Sequence, residues 1–406
     1  MRLLYAVQRY GAEVAGGAES ACRMFAERLA GRGHDVEVVT SCAVSYVDWA
    51  DHYPPGAETI DGVVVHRLPV AARRDTARFD ALSRRVAGIH PQPMHLYRAW
   101  TQAQGPTLAG YRDWLRQHRT RFDLVAFYTY LYETTTDGLA VAAMGAPTLV
   151  HPAAHDEWTL AIPTYDLVLR GADGLFFHTP EERQLVHRRF GPLGAVEATI
   201  GLGLDDAPRS VDEAGFRRRF GLGDRPYLVV LGRVDPNKGT HEAVEYFVAY
   251  KERNPGPLAL VVMGERVHDL IAHPDIVTTG FVSEDVKHAC LHGADVLVQP
   301  SYLESFSIAL LEGFQHATPA LVQRACDVLD GQVRRACAGL AYSGFAEFEA
   351  ALQELAGSPR LRQAAGEAGR TYVQANYRWP VVLDRYEELL ARTIEAGRRR
   401  LEARAA

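Results

Sequence analysis

Lysine is nearly missing from this sequence. Only three of its 44 basic residues are lysine, Lys238, Lys251 and Lys287, and the rest are arginine. Where arginine fills almost every cationic position, a lysine inside a motif carries weight, because the two cations differ in shape and hydration. Cysteine is also sparse. Cys22, Cys42, Cys290, Cys326 and Cys337 are scattered and odd in number, and no C-x-x-C occurs. That argues against a disulfide framework or a cysteine zinc site and suits a reducing compartment. No apolar run is long enough to span a membrane. The start of the chain runs from Leu3-Leu4-Tyr5 into Gln8 and Arg9 without the pattern of a signal peptide, so the expected location is cytoplasmic. There is no G-x-G-x-x-G, no D-x-D, no repeat and no low-complexity stretch.

What is present is a chain of 406 residues, 47% hydrophobic and 23% charged, enough for two or three domains with full cores. Net charge is −6, unevenly spread: residues 67–121 hold eleven arginines against Asp75, Asp80 and Asp113, a local balance of +8. Tyr97, Trp100, Tyr111 and Trp114 lie among those arginines, in a stretch (71–120) that reads as helical. Two readings stay open there. One is a solvated helical face. The other is a docking surface for a membrane leaflet or an anionic acceptor, since arginines beside interfacial aromatics suit both. Nothing else in the chain supports nucleic-acid binding.

The stretch 299–322 carries the clearest organisation. An apolar strand (296–298) is broken by Pro300 and Ser301, Glu304 follows in the turn, and Ser305 is the expected N-cap of a helix over 308–314. A further strand starts at 320. The helix thus opens at the carboxyl end of a parallel strand, where open α/β sheets bind ligands. Amides of Ser305, Phe306, Ser307 and Ile308 suit a phosphate. Glu312, eight positions after Glu304, suits a diol such as a ribose. Taken singly, each glutamate is also an ordinary helix-start or surface acid.

Earlier, a strand (3–7), a glycine-containing loop (9–18), a helix (19–31) and a strand (36–40) form a βαβ unit. A dinucleotide fold is disfavoured, because the fingerprint is absent and the second strand ends on Thr40-Ser41 and not on an acid. Gly16-Gly17 reads either as a tight turn or as a close backbone approach to a ligand. His151-Pro-Ala-Ala-His155-Asp-Glu-Trp158 follows a strand (147–151) and reads as a site or as a polar loop. A second strand system begins at 226. Its first strand ends in Gly232-Arg233-Val234-Asp235-Pro236-Asn237-Lys238-Gly239, where Arg233 and Lys238 suit a diphosphate.

Pro-Ser-x-x-Glu-x-x-Phe-x-x-x-x-x-Glu resembles the E-x7-E signature of GT4-type retaining glycosyltransferases, the glycosyltransferase group 1 enzymes with the GT-B fold. The chain looks like those of surface-polysaccharide or glycoconjugate assembly. The resemblance implies an α/β fold of two Rossmann-like domains facing a central cleft, with the last helix crossing back to the first domain. The expected division is 1–205 for acceptor binding, 206–378 for the nucleotide sugar, and 379–406 for the returning helix. The activity implied is retaining transfer of a hexose from a nucleotide diphosphate sugar, UDP- or GDP-linked, to a glycan, lipid-linked or small-molecule hydroxyl. Arg233, Lys238, Glu304 and His155 would serve catalysis. Gly16, Gly17, Gly232, Val282, Ser305, Phe306, Ser307, Ile308 and Glu312 would hold the donor. No metal and no cofactor beyond the co-substrate are expected, and peripheral contact with the inner membrane face is an expectation for 67–121. This sequence departs from the family at Ser305 and Ser307, where glycine is usual. The alternatives are another GT-B enzyme, an epimerase or a phosphorylase, and a silent sugar-nucleotide-binding homologue.

Overall fold

The computed structural model describes residues 1–14, 16–88, 91–234, 238–265 and 268–406. Three residues of the loop after Gly232, numbers 235–237, and residue 15 of the glycine loop lie outside them. The chain divides into two compact units. One is Met1–Ile200 with Leu383–Ala406, and the other is Gly201–Val382.

The first unit is built on an eight-stranded sheet. Its strands are β1 (Arg2–Ala6), β2 (Asp35–Ser41), β3 (Gly56–Ile60), β4 (Val63–Leu68), β5 (Leu124–Tyr128), β6 (Thr148–His151), β7 (Gly174–Phe177) and β8 (Val196–Thr199). They lie in the order β3-β4-β2-β1-β5-β6-β7-β8. Every pairing is parallel except β3 with β4. The central strands β1, β5, β6 and β7 are buried along almost their whole length and are largely apolar, as a parallel sheet covered on both faces requires. Strand β3 escapes sequence reading: Gly-Ala-Glu-Thr-Ile is short, polar and exposed, and it is a strand only because β4 offers an antiparallel edge.

The stretch read as helical and basic holds, among the described residues, the α-helices Thr76–Val86, Met94–Gln104 and Tyr111–His118. Its aromatics do not form an outer face. Tyr97, Trp100 and Tyr111 are buried in one cluster with Phe127, Val150 and Tyr165 from the sheet and its helices. Trp114 is partly buried and stacks on His118, with ring centroids 4.4 Å apart. This corrects the expectation of interfacial aromatics: their apolar area is worth more in the core than at a surface. Several arginines are structural too. Arg67 is buried against Glu58, the Tyr10 carbonyl and the Tyr53 ring. Arg78, Arg84, Arg85 and Arg98 remain exposed.

The final helix, Trp379–Ala405, passes from the second unit into the first at Leu383. Within the first unit, Tyr386 is buried, its Oη lying 3.2 Å from Tyr5 Oη and 2.9 Å from His151 Nε2. Arg400 Nε donates to Asp173 at 2.6 Å, and the same aspartate accepts the Thr148 amide at 2.9 Å. That bidentate, half-buried pair pins the helix to the loops at the sheet's amino-terminal edge.

The second unit is a six-stranded, wholly parallel sheet. Its strands are β9 (Tyr227–Leu231), β10 (Ala259–Met263), β11 (Ile276–Gly280), β12 (Val296–Gln299), β13 (Ala320–Gln323) and β14 (Gly339–Tyr342). The order is β11-β10-β9-β12-β13-β14. The chain winds outward from β9 in one direction, then returns to its other side at β12. The topological switch point therefore lies between β9 and β12, and the loops leaving those two strands open a crevice at their carboxyl ends. No helix among the described residues is long and apolar enough to cross a membrane.

Candidate functional site

The loop after β9 is pressed against its neighbours at glycines. Gly232 donates its amide to the Met263 carbonyl at 2.9 Å, and Gly264, with φ +144°, packs so closely that a Cβ there would sit 2.0 Å from the Gly232 carbonyl oxygen. At the far end of the loop Gly239 has φ +68°, and a Cβ there would meet the Pro300 oxygen at 2.2 Å. Only glycine allows this approach. It brings the loop after β9 onto the turn after β12.

The contact delivers the first site pair. Lys238 Nζ donates to Glu304 Oε1 at 2.8 Å across the switch point. The lysine side chain is 37% exposed and the glutamate 14%. Arg233 stands exposed on the same loop. The central residues of that motif, Asp235, Pro236 and Asn237, lie outside the described residues.

The turn after β12 places a helix amino terminus in the same crevice. Ser305 is not its N-cap, as the sequence suggested. The cap is Ser307, in the left-handed region at φ 67° and ψ 81°, with no side-chain cap bond, and the helix runs Ile308–Gln315. The reason is tertiary. Phe306 is buried, its ring 5.3 Å from that of Tyr377, and it lies so near Gly201 that a Cβ there would be 2.7 Å away. The Phe306 carbonyl accepts a hydrogen bond from Gln332 Nε2. With Phe306 turned inward, the chain enters the helix through a left-handed residue, a conformation that favours glycine and here is held by serine. The first-turn amides have no partner within the helix and point out of its amino terminus.

Glu312 lies on this helix. Its Oε1 accepts from Lys287 Nζ at 2.6 Å. Lys287 belongs to the helix Glu284–Gly293, which begins just after Gly280-Phe281-Val282, and it also lies 2.7 Å from Glu284. Burial pulls the Lys287 pKa down, but the two carboxylates outweigh it and the ammonium is held above its usual range. The loop after β11 sits beside the loop after β10, since Gly264 donates to the Gly280 carbonyl at 3.0 Å. Phe281 there is 87% exposed.

So the structure brings Gly232, Arg233, Lys238, Glu304, Ser305, Phe306, Ser307 and Ile308 to the carboxyl ends of the adjacent strands β9 and β12, with Val282 following β11, two strands from β9. Glu312 is set deeper along the helix. Each glutamate of the pair holds one of the three lysines. Sequence reasoning missed Lys287, though the scarcity that singled out Lys238 applied equally to it.

In the first unit, the switch point lies between β1 and β5. Gly16 precedes the helix Gly17–Gly31, and a Cβ on it would sit 2.2 Å from Glu19 Oε2. Glu19 is paired with Arg9, Nη2 to Oε1 at 2.5 Å, both side chains only 6% exposed. Gly17 faces open space. The glycine at 16 leaves room for the buried Arg9–Glu19 pair, which sequence reading did not find.

The two histidines of the 151–158 segment separate sharply. His151 is buried, stacked 4.2 Å from both Tyr128 and Phe176, and burial drives its pKa well down. It is a core residue. His155 is half-exposed, with Nδ1 3.8 Å from Glu157 Oε1. Burial pushes the Glu157 pKa up, yet hydrogen bonds with His155, Tyr130 and Thr159 hold it below the usual carboxylate range. The loop is fixed from behind: buried Glu182 accepts the Ala154 amide at 2.9 Å and the His178 amide at 2.6 Å, and its own amide is capped by Thr179 Oγ1. Among the described residues no group of three or more His, Cys, Asp or Glu is placed to hold a metal ion.

Two family models match. "Glycosyl transferases group 1" covers residues 213–372, and "Glycosyl transferase 4-like domain" covers residues 16–199. A glycogen synthase of Mycobacterium tuberculosis is 26% identical over 408 residues, 94% of this chain and 92% of the relative. A GDP-mannose-dependent alpha-(1-6)-phosphatidylinositol monomannoside mannosyltransferase of Mycolicibacterium smegmatis is 30% identical over 250 residues, 55% of this chain and 64% of the relative. The crystal structure of Anabaena HepE in complex with UDP is similar at a TM-score of 0.69 and 13% identity, covering 96% of this chain and all of that one (100%).

Proposed function

Because this chain belongs to the group 1 glycosyltransferases, with a GT4-like amino-terminal domain, the GT-B fold and the enzyme class of a glycosyltransferase, we propose that its second unit binds a nucleotide diphosphate sugar at the β9/β12 switch point. A UDP- or GDP-sugar is favoured by the relative named as GDP-mannose-dependent and by the similar structure titled as a complex with UDP. The observation that carries the reading is the Lys238–Glu304 pair beside the amino terminus of the helix Ile308–Gln315.

In this reading the diphosphate lies on the amides of Ser305 to Ile308, countered by Lys238 and Arg233. Glu312 accepts from the ribose diol, the backbone at Val282 meets the base, and Glu304 faces the donor sugar. Gly232 gives the phosphates room. When the bond from the anomeric carbon to the β-phosphate oxygen breaks, the electron pair stays on that oxygen. The two cations and the helix amides stabilise the charge without a metal or other cofactor. The acceptor hydroxyl, held on the first unit near His155, forms the new bond with retained configuration and gives its proton to the departing diphosphate. The acceptor is a glycan, lipid-linked or small-molecule alcohol, and the reaction is cytoplasmic.

A screen of UDP-, GDP-, ADP- and dTDP-sugars by thermal shift tests the donor, since a bound donor raises the melting temperature by mass action. Run with EDTA present, the preferred donor and an acceptor should still give product, and NMR of the new anomeric centre should show retention. No shift with any donor, loss of activity restored by Mg²⁺, or an inverted product would each overturn the corresponding part.

We further propose that exposed Arg78, Arg84 and Arg85 on the helix Thr76–Val86 meet an anionic surface such as the inner membrane leaflet. Arg84→Glu with Arg85→Glu should weaken sedimentation with phosphatidylserine vesicles, and salt should erase the difference. A wild type that ignores such vesicles refutes this.

A further inference from the structure

Lys251 is explained by structure alone, with its Nζ 3.0 Å from Asp275 Oδ2 and 3.1 Å from the Leu258 carbonyl. Lys287 is different, because its partner is Glu312. The contact is held in register by a second one. His288, the next residue, lies with Nδ1 2.8 Å from His316 Nε2, and His316, four residues after Glu312, caps the end of its helix. Adjacent residues of the helix Glu284–Gly293 thereby hold both Glu312 of the helix Ile308–Gln315 and its C-cap His316. Lys287 is 14% exposed and Glu312 17%, so neither side chain is a loose surface charge.

The choice of cation matters. Arginine occupies nearly every basic position of this chain. A guanidinium facing a carboxylate tends to bind both oxygens at once, whereas an ammonium is a point charge that binds one. Here Lys287 Nζ contacts Oε1 of Glu312. We propose that Lys287 is the positioning residue of the donor's ribose: it holds Glu312 by one oxygen so that the other accepts from the ribose diol. The inference rests on the reading of Glu312 given above.

Calorimetric titration with UDP and GDP, each beside its 2′,3′-dideoxy analogue, tests it. The wild type should prefer the ribo form of the bound nucleotide by about ten- to a hundredfold, the range of a hydrogen bond to a charged group. Lys287→Met should lose most of that preference while binding the dideoxy form within about twofold of wild type. Lys287→Arg, which keeps the charge but takes both oxygens, should lose it as well. Equal weakening of ribo and dideoxy forms in Lys287→Met would mean a merely structural role and would overturn the proposal. Preference lost in Glu312→Gln but kept in either Lys287 variant would overturn it alone. Preference kept in Glu312→Gln would overturn the ribose reading and the proposal with it. A wild type that binds neither nucleotide would overturn the donor reading itself.

Discussion

Replacing Lys238 by alanine separates what the Lys238–Glu304 pair does for the fold from what it does for the reaction. The lysine is 37% exposed, so the pair is screened by water and should contribute less than about 1 kcal/mol to stability. The melting temperature should move by no more than a few degrees. Against the leaving diphosphate the same ammonium acts in the transition state, where charge-assisted partners are worth about 1.5–4 kcal/mol. That is about a ten- to thousandfold loss in kcat/KM. A second effect adds to it. Glu304, 2.8 Å from the lysine in the wild type, loses its counter-charge and stands as a bare carboxylate beside the donor. Repulsion between unit charges about 4 Å apart is about 1 kcal/mol in water and about 4 kcal/mol near a protein surface, so donor affinity should fall as well. Adding Glu304→Gln should then recover much of the donor affinity without recovering the rate. The assays are nucleoside diphosphate release for kcat/KM and calorimetry for donor affinity, in a double-mutant cycle. If Lys238→Ala turns over within about threefold of wild type, or if the double variant binds no better than the single one, the reasoning is wrong.

His155→Ala should bind the nucleotide as wild type does but transfer about a hundredfold more slowly, and unchanged transfer would remove it from the site. Ser307→Gly should raise the melting temperature by about 1–3 °C, because relief of left-handed strain of roughly 1–2 kcal/mol outweighs the extra freedom glycine gives the unfolded chain. A fall would show that the serine side chain is wanted there. Burial, with His288, His292 and Lys287 nearby, pushes the His316 pKa down to about 4. The unfolded chain, at about 6.5, therefore takes up the proton first, and stability should fall as pH drops from about 6.5 toward 4, by up to about 1.4 kcal/mol per unit. Denaturant melts of His316→Gln should show a shallower decline over that window, and an identical decline would exclude His316 as its source.

Much of this site could be read in the linear chain because it is built from short-range signals. The run of strand, acidic turn, helix and strand over 299–322, the spacing of Glu304 and Glu312, and the glycines around Arg233 and Lys238 all lie within one or two elements. Parallel strands buried on both faces announce themselves as apolar runs, so β1, β5, β9, β10 and β12 were legible as well. What the chain order could not show depends on which distant surfaces meet. Burial of Phe306 beneath Gly201 moved the helix cap from Ser305 to Ser307. Tyr97, Trp100 and Tyr111 fit an interfacial face as well as a core until the sheet of the first unit closed over them. The polar strand β3 exists only because β4 has an unpaired edge. Lys287 and Glu312 are 25 residues apart on different helices, and no periodicity relates them. Hydrophobic periodicity records which side of an element is buried. It does not record what buries it, and ion pairs, caps and glycine contacts are decided by that partner.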